Sequence, residues 1–317
     1  MAITPTLSGH TQPLDLDGFM ALARAQVDVN EPESALQLAD ALAGLAQHPH
    51  LIRDAIQKQA DAFLQGNRQV SYTPQSIILA GSESFYVRAN IWTPPRLSGA
   101  IREQEERIFS YNLAHDHNFA FLTAGCFGSG YRTEIFEYDP SQVVGYVGEP
   151  VELTALEETT LPQGKVMFYR ERRDIHIQHA PTELSISLNL MLLSPRSQDT
   201  EQYFFDTHKG VISGIPEAAY VYRKASLAAL LGMIGDGDAL PTLHALLDGQ
   251  PNRRIRVSAM QAIHSLQTRL EQHSYISRRF VDDADPLMAM AARSLHDGGR
   301  LDAGLDLASA ADLYKRD

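Results

Sequence analysis

One cysteine, Cys126, and one tryptophan, Trp92, stand in a chain of 317 residues. A lone thiol excludes a disulfide framework, a cysteine-ligated zinc knuckle and a Cys-x-x-Cys redox pair within the chain. No run approaches the ~18 apolar residues of a membrane-spanning helix, and no basic stretch leads into an apolar core near the N-terminus. The expectation is a cytoplasmic protein with no membrane partner. Positive charge is also short: 27 Lys plus Arg against 39 Asp plus Glu, a formal net charge of −12. Binding to nucleic acid through phosphate neutralisation is therefore not expected. The remaining composition, 44% hydrophobic and 21% charged, is that of a folded globular chain.

Periodicity divides the chain into three. Residues 1–68 carry apolar residues at helical spacing over Leu16–Gln26 and Ser34–Gln65, the latter broken at Pro49. Residues 69–200 turn to β-branched and aromatic residues cut by Gly and Pro. Strands are expected at Ser76–Leu79, Ser84–Trp92, Arg107–Leu113, Phe119–Phe127, Arg132–Tyr138, Val151–Glu157, Lys165–Tyr169, Ile175–His179 and Leu184–Leu193. So many short strands predict a sandwich or barrel. Residues 216–317 are helical again. A shift of 33 superposes Arg223 on Arg256, Ala229 on Ala262, Leu230 on Ile263 and Met233 on Leu266. A weaker third copy lies at Asp285–Asp297. The pattern resembles short HEAT-like repeats, in which stacked helix pairs bury faces that neither buries alone.

Four of the 12 histidines fall in the β-rich region: His115, His117, His176 and His179. Two imidazoles at i and i+2 on a strand point to one face and suit two cis positions of a metal. A third from another strand completes a triad. His176 and His179 differ by an odd number, so a strand presents only one of them. His176 is the preferred third ligand and His179 the alternative. Asp116, between the first two histidines, is expected to point away from them. Three neutral imidazoles suit Fe(II), Ni, Cu or Zn rather than Mg or Ca.

The order of these features (a strand with His-x-His, a long meander, Leu161-Pro162-Gln163-Gly164, a strand, His176, a strand) resembles the cupin double-stranded β-helix. His115-Asp116-His117 with Phe121-Leu122 and Gly128, then Ile175-His176 with Ser187-Leu188-Asn189-Leu190 and Ser194-Pro195, resembles the two metal motifs of the three-His thiol dioxygenases, the group of cysteine dioxygenase. Tyr86-Val87-Arg88 is similar to that group's Tyr-x-Arg. The usual cupin Glu after His-x-His is absent, since positions 118–122 read Asn, Phe, Ala, Phe, Leu; a triad without carboxylate is the thiol dioxygenase pattern. The counterparts of the Cys–Tyr crosslink of animal cysteine dioxygenases are missing. The resemblance spans residues 80–196.

The flanking helical regions lie outside it, and with them the expectation is an α+β protein: N-terminal helices, a cupin jelly-roll barrel and a C-terminal α-helical HEAT-like repeat domain. The resemblance implies a non-haem Fe(II) dioxygenase or oxidase using O2. His115, His117 and His176 would be the ligands. Arg88 would grip an anionic substrate, small or peptide-borne, and Tyr86, Tyr111 or Tyr169 would offer a hydroxyl. A metallocupin isomerase, lyase or hydrolase and a non-catalytic cupin–HEAT interaction protein are the alternatives. In each, the C-terminal helices offer a surface for a protein partner or self-association.

Overall fold

The computed structural model describes residues 3–9, 13–67, 73–96, 98–216 and 220–298. Two compact units share them. The first takes the described residues up to 138 and those of 153–194, and the second takes those of 139–152 and those from 195 onward. Residues 139–152, which lie within the 69–200 range, thus cluster with the helical unit.

The first unit opens with helices α1 (Leu16–Gln26), α2 (Ala39–Ala46) and α3 (Leu51–Leu64). Asp15 caps α1 by accepting the Gly18 N–H at 2.8 Å. Nine strands follow: β1 (Ser76–Gly81), β2 (Phe85–Trp92), β3 (Ala114–His115), β4 (Phe121–Phe127), β5 (Arg132–Glu137), β6 (Thr154–Thr160), β7 (Val166–Tyr169), β8 (Asp174–Gln178) and β9 (Ser185–Leu192). One sheet runs β1-β2-β9-β4-β7, and in the other the neighbours run β3-β8-β5-β6. Counting β2 to β9 as strands one to eight, these orders are 1-8-3-6 and 2-7-4-5. That is the strand order of an eight-stranded jelly roll, the double-stranded β-helix.

The expected strand Arg107–Leu113 does not form. Helix α4 (Ala100–Phe109) takes its first three residues. The stretch Ile101-Arg102-Glu103-Gln104-Glu105-Glu106 has helical charge spacing, with an Arg102–Glu106 ion pair at i, i+4. Ser110 and Asn112, both at positive φ, then break the chain before β3.

Alternation sets the two faces of the first sheet. Phe85, Val87, Ala89, Leu122, Ala124, Leu188 and Leu190 pack outward against Phe19, Leu38, Leu42 and Leu45 of the N-terminal segment. Cys126 belongs to this outer layer, and burial pushes its thiol up to about 11. The opposite face encloses Trp92, Tyr131, Ile135, Met167, Tyr169 and Met191.

The second unit holds a short antiparallel pair, β10 (Phe204–Asp206) and β11 (Val211–Gly214). Helices α5 (Tyr220–Ile234), α6 (Leu240–Gly249), α7 (Arg253–Arg269) and α8 (Pro286–Gly298) follow. Helices α5 and α7 stack with Ser258 Oγ donating to the Ala225 carbonyl at 2.6 Å, a separation of 33 residues. The superposed apolar positions are not equivalent in burial: Ile263 and Leu266 are sealed, whereas Leu230 and Met233 are 50% and 70% exposed. Arg254 is buried on Glu201 at 3.0 Å, and Glu201 also accepts the Tyr203 hydroxyl at 2.6 Å. No helix among the described residues is long and apolar enough to cross a membrane.

Candidate metal centre

Strand β3 is two residues long, so His115 and His117 do not share a strand as the spacing predicts. His115 stands directly opposite His176 in the β3–β8 pair. His117 lies past the strand end, where its carbonyl accepts the Arg172 N–H at 2.7 Å. The three imidazoles nevertheless converge. His176 Nε2 is 3.1 Å from His115 Nε2 and 3.1 Å from His117 Nε2. Ligand atoms of all three lie within 4.8 Å of one another. His179 faces elsewhere, with Nδ1 2.8 Å from Asn112 Oδ1 and Nε2 2.8 Å from Glu134 Oε1. Asp116 is buried beside the cluster and accepts the Tyr138 hydroxyl at 2.7 Å.

The donor set fits a transition-metal ion. Imidazole nitrogens bound to one ion at ~2.0–2.1 Å stand about 3.0–3.4 Å apart, and the two 3.1 Å separations match. His115 Nδ1 is 2.8 Å from the Leu113 carbonyl, which makes it the donor and makes Nε2 the nitrogen that carries the lone pair a metal would take. Burial lowers the affinity of all three rings for protons. His117 and His176 are driven well below the ordinary histidine value, first by desolvation and then by neighbouring positive charge, including Arg88. The rings are therefore neutral and able to bind a metal. Aromatic walls supply the desolvation: Phe119 stacks on His117 with ring centroids 4.7 Å apart, and Tyr169 meets His176 edge-on at 4.9 Å.

Arg88 and Tyr86 project from β2 onto the enclosed face. Arg88 pairs in register with Asn189 of β9, which pairs with Thr123 of β4. Burial draws the guanidinium below its ordinary value, an effect the phenols of Tyr86 and Tyr131 oppose. It stays a cation nonetheless. Of the other phenols, Tyr111 is committed to the backbone of Thr93, donating to its carbonyl at 2.9 Å and accepting its N–H at 3.0 Å. Burial raises Tyr169 well above its ordinary value, so it keeps its proton.

Sequence reasoning missed the rest of this interior. Arg88 Nε, Asn90 Oδ1, His117 Nδ1, Thr123 Oγ1, Thr133 Oγ1, Gln178 Oε1 and Asn189 Nδ2 are buried without a hydrogen-bond partner. Isolated orphans are rare in folded proteins, and a concentration of them around one enclosed interior marks a place for a polar ligand or water. A signal existed in the alternation of Ser185, Ser187, Asn189 and Met191 on β9. Nearly all of that strand is buried, so its polar face had to look into an interior.

Jelly roll and triad together define a double-stranded β-helix with a three-histidine cluster capable of holding a metal. No protein-family model and no curated protein matches the sequence. Solved structures overlap it in part. Hydroquinone 1,2-dioxygenase PnpCD in complex with Cd2+ and 4-hydroxybenzonitrile is 12% identical, over 42% of this chain and 72% of that one, with a TM-score of 0.25. The DMSP lyase DddQ from Ruegeria pomeroyi is 12% identical over 45% and 64%, with a TM-score of 0.23. A cupin domain from Bordetella pertussis is 10% identical over 39% and 98%, with a TM-score of 0.21. The strand order, rather than these overlaps, defines the fold.

Proposed function

We propose that the protein is a mononuclear non-haem iron oxygenase of the three-His cupin type, acting on a small anionic substrate. The observation that carries this reading is the pairing of three neutral, converging imidazoles with a half-buried Arg88 whose Nε is sealed without a hydrogen-bond partner, while the metal cluster includes no carboxylate. A divalent ion held by three neutral ligands beside a guanidinium makes the interior strongly cationic. An uncompensated buried charge is costly, so the interior calls for an anionic ligand.

His115, His117 and His176 would hold the metal: Fe(II) in this reading, although the donor set also suits Ni, Cu or Zn. Such an ion would supply open coordination positions for a substrate donor atom and for O2. Arg88 grips the anionic group through paired N–H bonds and fixes the substrate's orientation. Tyr86 shares its face. Phe119, Phe121 and Tyr169 keep water from the cluster. A thiol or amino-acid-derived substrate, free or peptide-borne, accords with the Tyr86-Val87-Arg88 resemblance. The stacked helices of the second unit are a HEAT-like module in this reading. Exposed Leu227, Leu230, Met233 and Ile234 there support a role in binding a protein partner or a second copy.

The test is oxygen uptake by Fe(II)-reconstituted protein given cysteine or 3-mercaptopropionate, against matched thiols lacking a carboxylate. Uptake restricted to the anionic thiols is expected. An iron-replete protein that consumes no oxygen with any anionic substrate, but eliminates or isomerises one, would place it among metallocupin lyases or isomerases.

A further inference from the structure

The orphaned polar atoms of the barrel fall on two walls. On the first sheet, Arg88 Nε, Asn189 Nδ2 and Thr123 Oγ1 lie along one register row. On the second sheet, Gln178 Oε1 is orphaned, and Thr133, whose Oγ1 makes no hydrogen bond of good geometry although the buried Tyr169 phenol couples to it, stands directly opposite Gln178 in the β5–β8 pair. The Gln178 amide nitrogen is 3.2 Å from His176 Nδ1 and 3.1 Å from His176 Nε2. An atom nearly equidistant from both ring nitrogens lies across the ring, not in line with either lone pair. Gln178 is thus beside the coordinating nitrogen without being committed to it.

We propose that Gln178 and Thr133 form a second polar subsite, which recognises a neutral hydroxyl on a substrate whose carboxylate is held by Arg88. The inference rests on the reading of Arg88 given above. An amide and a hydroxyl each donate and accept hydrogen bonds and carry no charge. Their match is another neutral donor–acceptor group. Gln178 and Thr133 carry no charge of their own with which to balance a charged group. The substrate class is a hydroxy acid. An analogue lacking the hydroxyl leaves Gln178 and Thr133 buried without that partner, the arrangement by which binding sites discriminate most sharply.

Trp92 makes the test direct. It is the only tryptophan, it is buried with Nε1 donating to Ser187 Oγ at 3.1 Å, and its ring lies 4.3 Å from Tyr131. Its fluorescence therefore reports on the barrel interior. Zn(II)-loaded protein, which is redox-silent, is titrated with lactate and with propionate. Wild type should bind lactate at least about tenfold more tightly. Gln178→Leu and Thr133→Val should each bring that ratio towards one, while Arg88→Met weakens both acids and preserves it. A lactate preference due only to chelation of the zinc would survive Gln178→Leu and Thr133→Val, and that result overturns the subsite. So does a wild-type ratio near one. Thr133→Val, which keeps the side-chain shape, decides the matter should Gln178→Leu fail to fold. Wild type that binds neither acid, with zinc bound, overturns the Arg88 reading as well.

Discussion

His115 and His176 face each other across the β3–β8 pair with Nε2 atoms 3.1 Å apart, although 60 residues lie between them in the chain. Two neutral imidazoles at that distance share at most one proton, and His117 approaches the same point. The arrangement has a pH consequence. All three rings titrate below the ordinary histidine value in the folded chain, so below pH ~6.5 the unfolded chain binds more protons than the folded one. Their contribution to stability is complete above that pH and is lost as pH falls towards the folded values. Thermal melts of metal-free protein should show the midpoint dropping between about pH 7 and 5. The drop should be smaller in His176→Gln. A slope unchanged by that substitution would show that other groups cause it.

Arg88 should matter to binding more than to stability. Charge-assisted hydrogen bonds contribute about 1.5–3 kcal/mol, so Arg88→Met should weaken an anionic ligand by roughly 10- to 150-fold. Arg88→Lys keeps the charge but loses the paired geometry, and an intermediate loss is expected. Isothermal titration with matched neutral and anionic ligands measures both. Equal weakening of the neutral ligand would contradict the assigned role.

In the second unit, Glu201 is 3% exposed in its side chain and bonded to Arg254, which is 1% exposed. Burial alone would raise the Glu201 carboxyl, but Arg254 and Arg253 outweigh it and hold the group below its ordinary value. Glu201→Ala leaves the Arg254 guanidinium buried without its counter-ion, bonded only to the Gly145 carbonyl among the described residues, and should cost about 3–5 kcal/mol. With a depressed folded value, the stabilisation is present above the unfolded carboxylate value of ~4.3 and disappears as pH falls through the folded one. Denaturant melts at pH 7 and pH 3 should therefore show the Glu201→Ala penalty shrinking in acid. A penalty independent of pH would locate the effect in packing.

The sequence made some of this legible for a physical reason. Alternation and turn residues placed eight of the strands, and helical spacing gave α1 its bounds. The odd separation of His176 and His179 meant that one strand could present only one of them inward. Other features depended on tertiary context. Residues 107–113 carry the aromatic character of a strand, but the charge spacing of residues 102–106 drew the first three of them into α4. The convergence of His117 owes nothing to strand periodicity, because β3 ends at His115. Gln178 and Thr133 look unremarkable in sequence. Only the β5–β8 register brings the two groups together.

Metal content of the histidine variants tests the central claim most directly. Wild type, His117→Ala, His176→Ala and His179→Ala are loaded with Fe(II) or Zn(II), dialysed and assayed by elemental analysis, with circular dichroism to verify folding. Wild type and His179→Ala should hold one ion per chain, and His117→Ala and His176→Ala should hold almost none. Full occupancy in a folded His176→Ala, or loss of the ion in His179→Ala alone, would contradict the account.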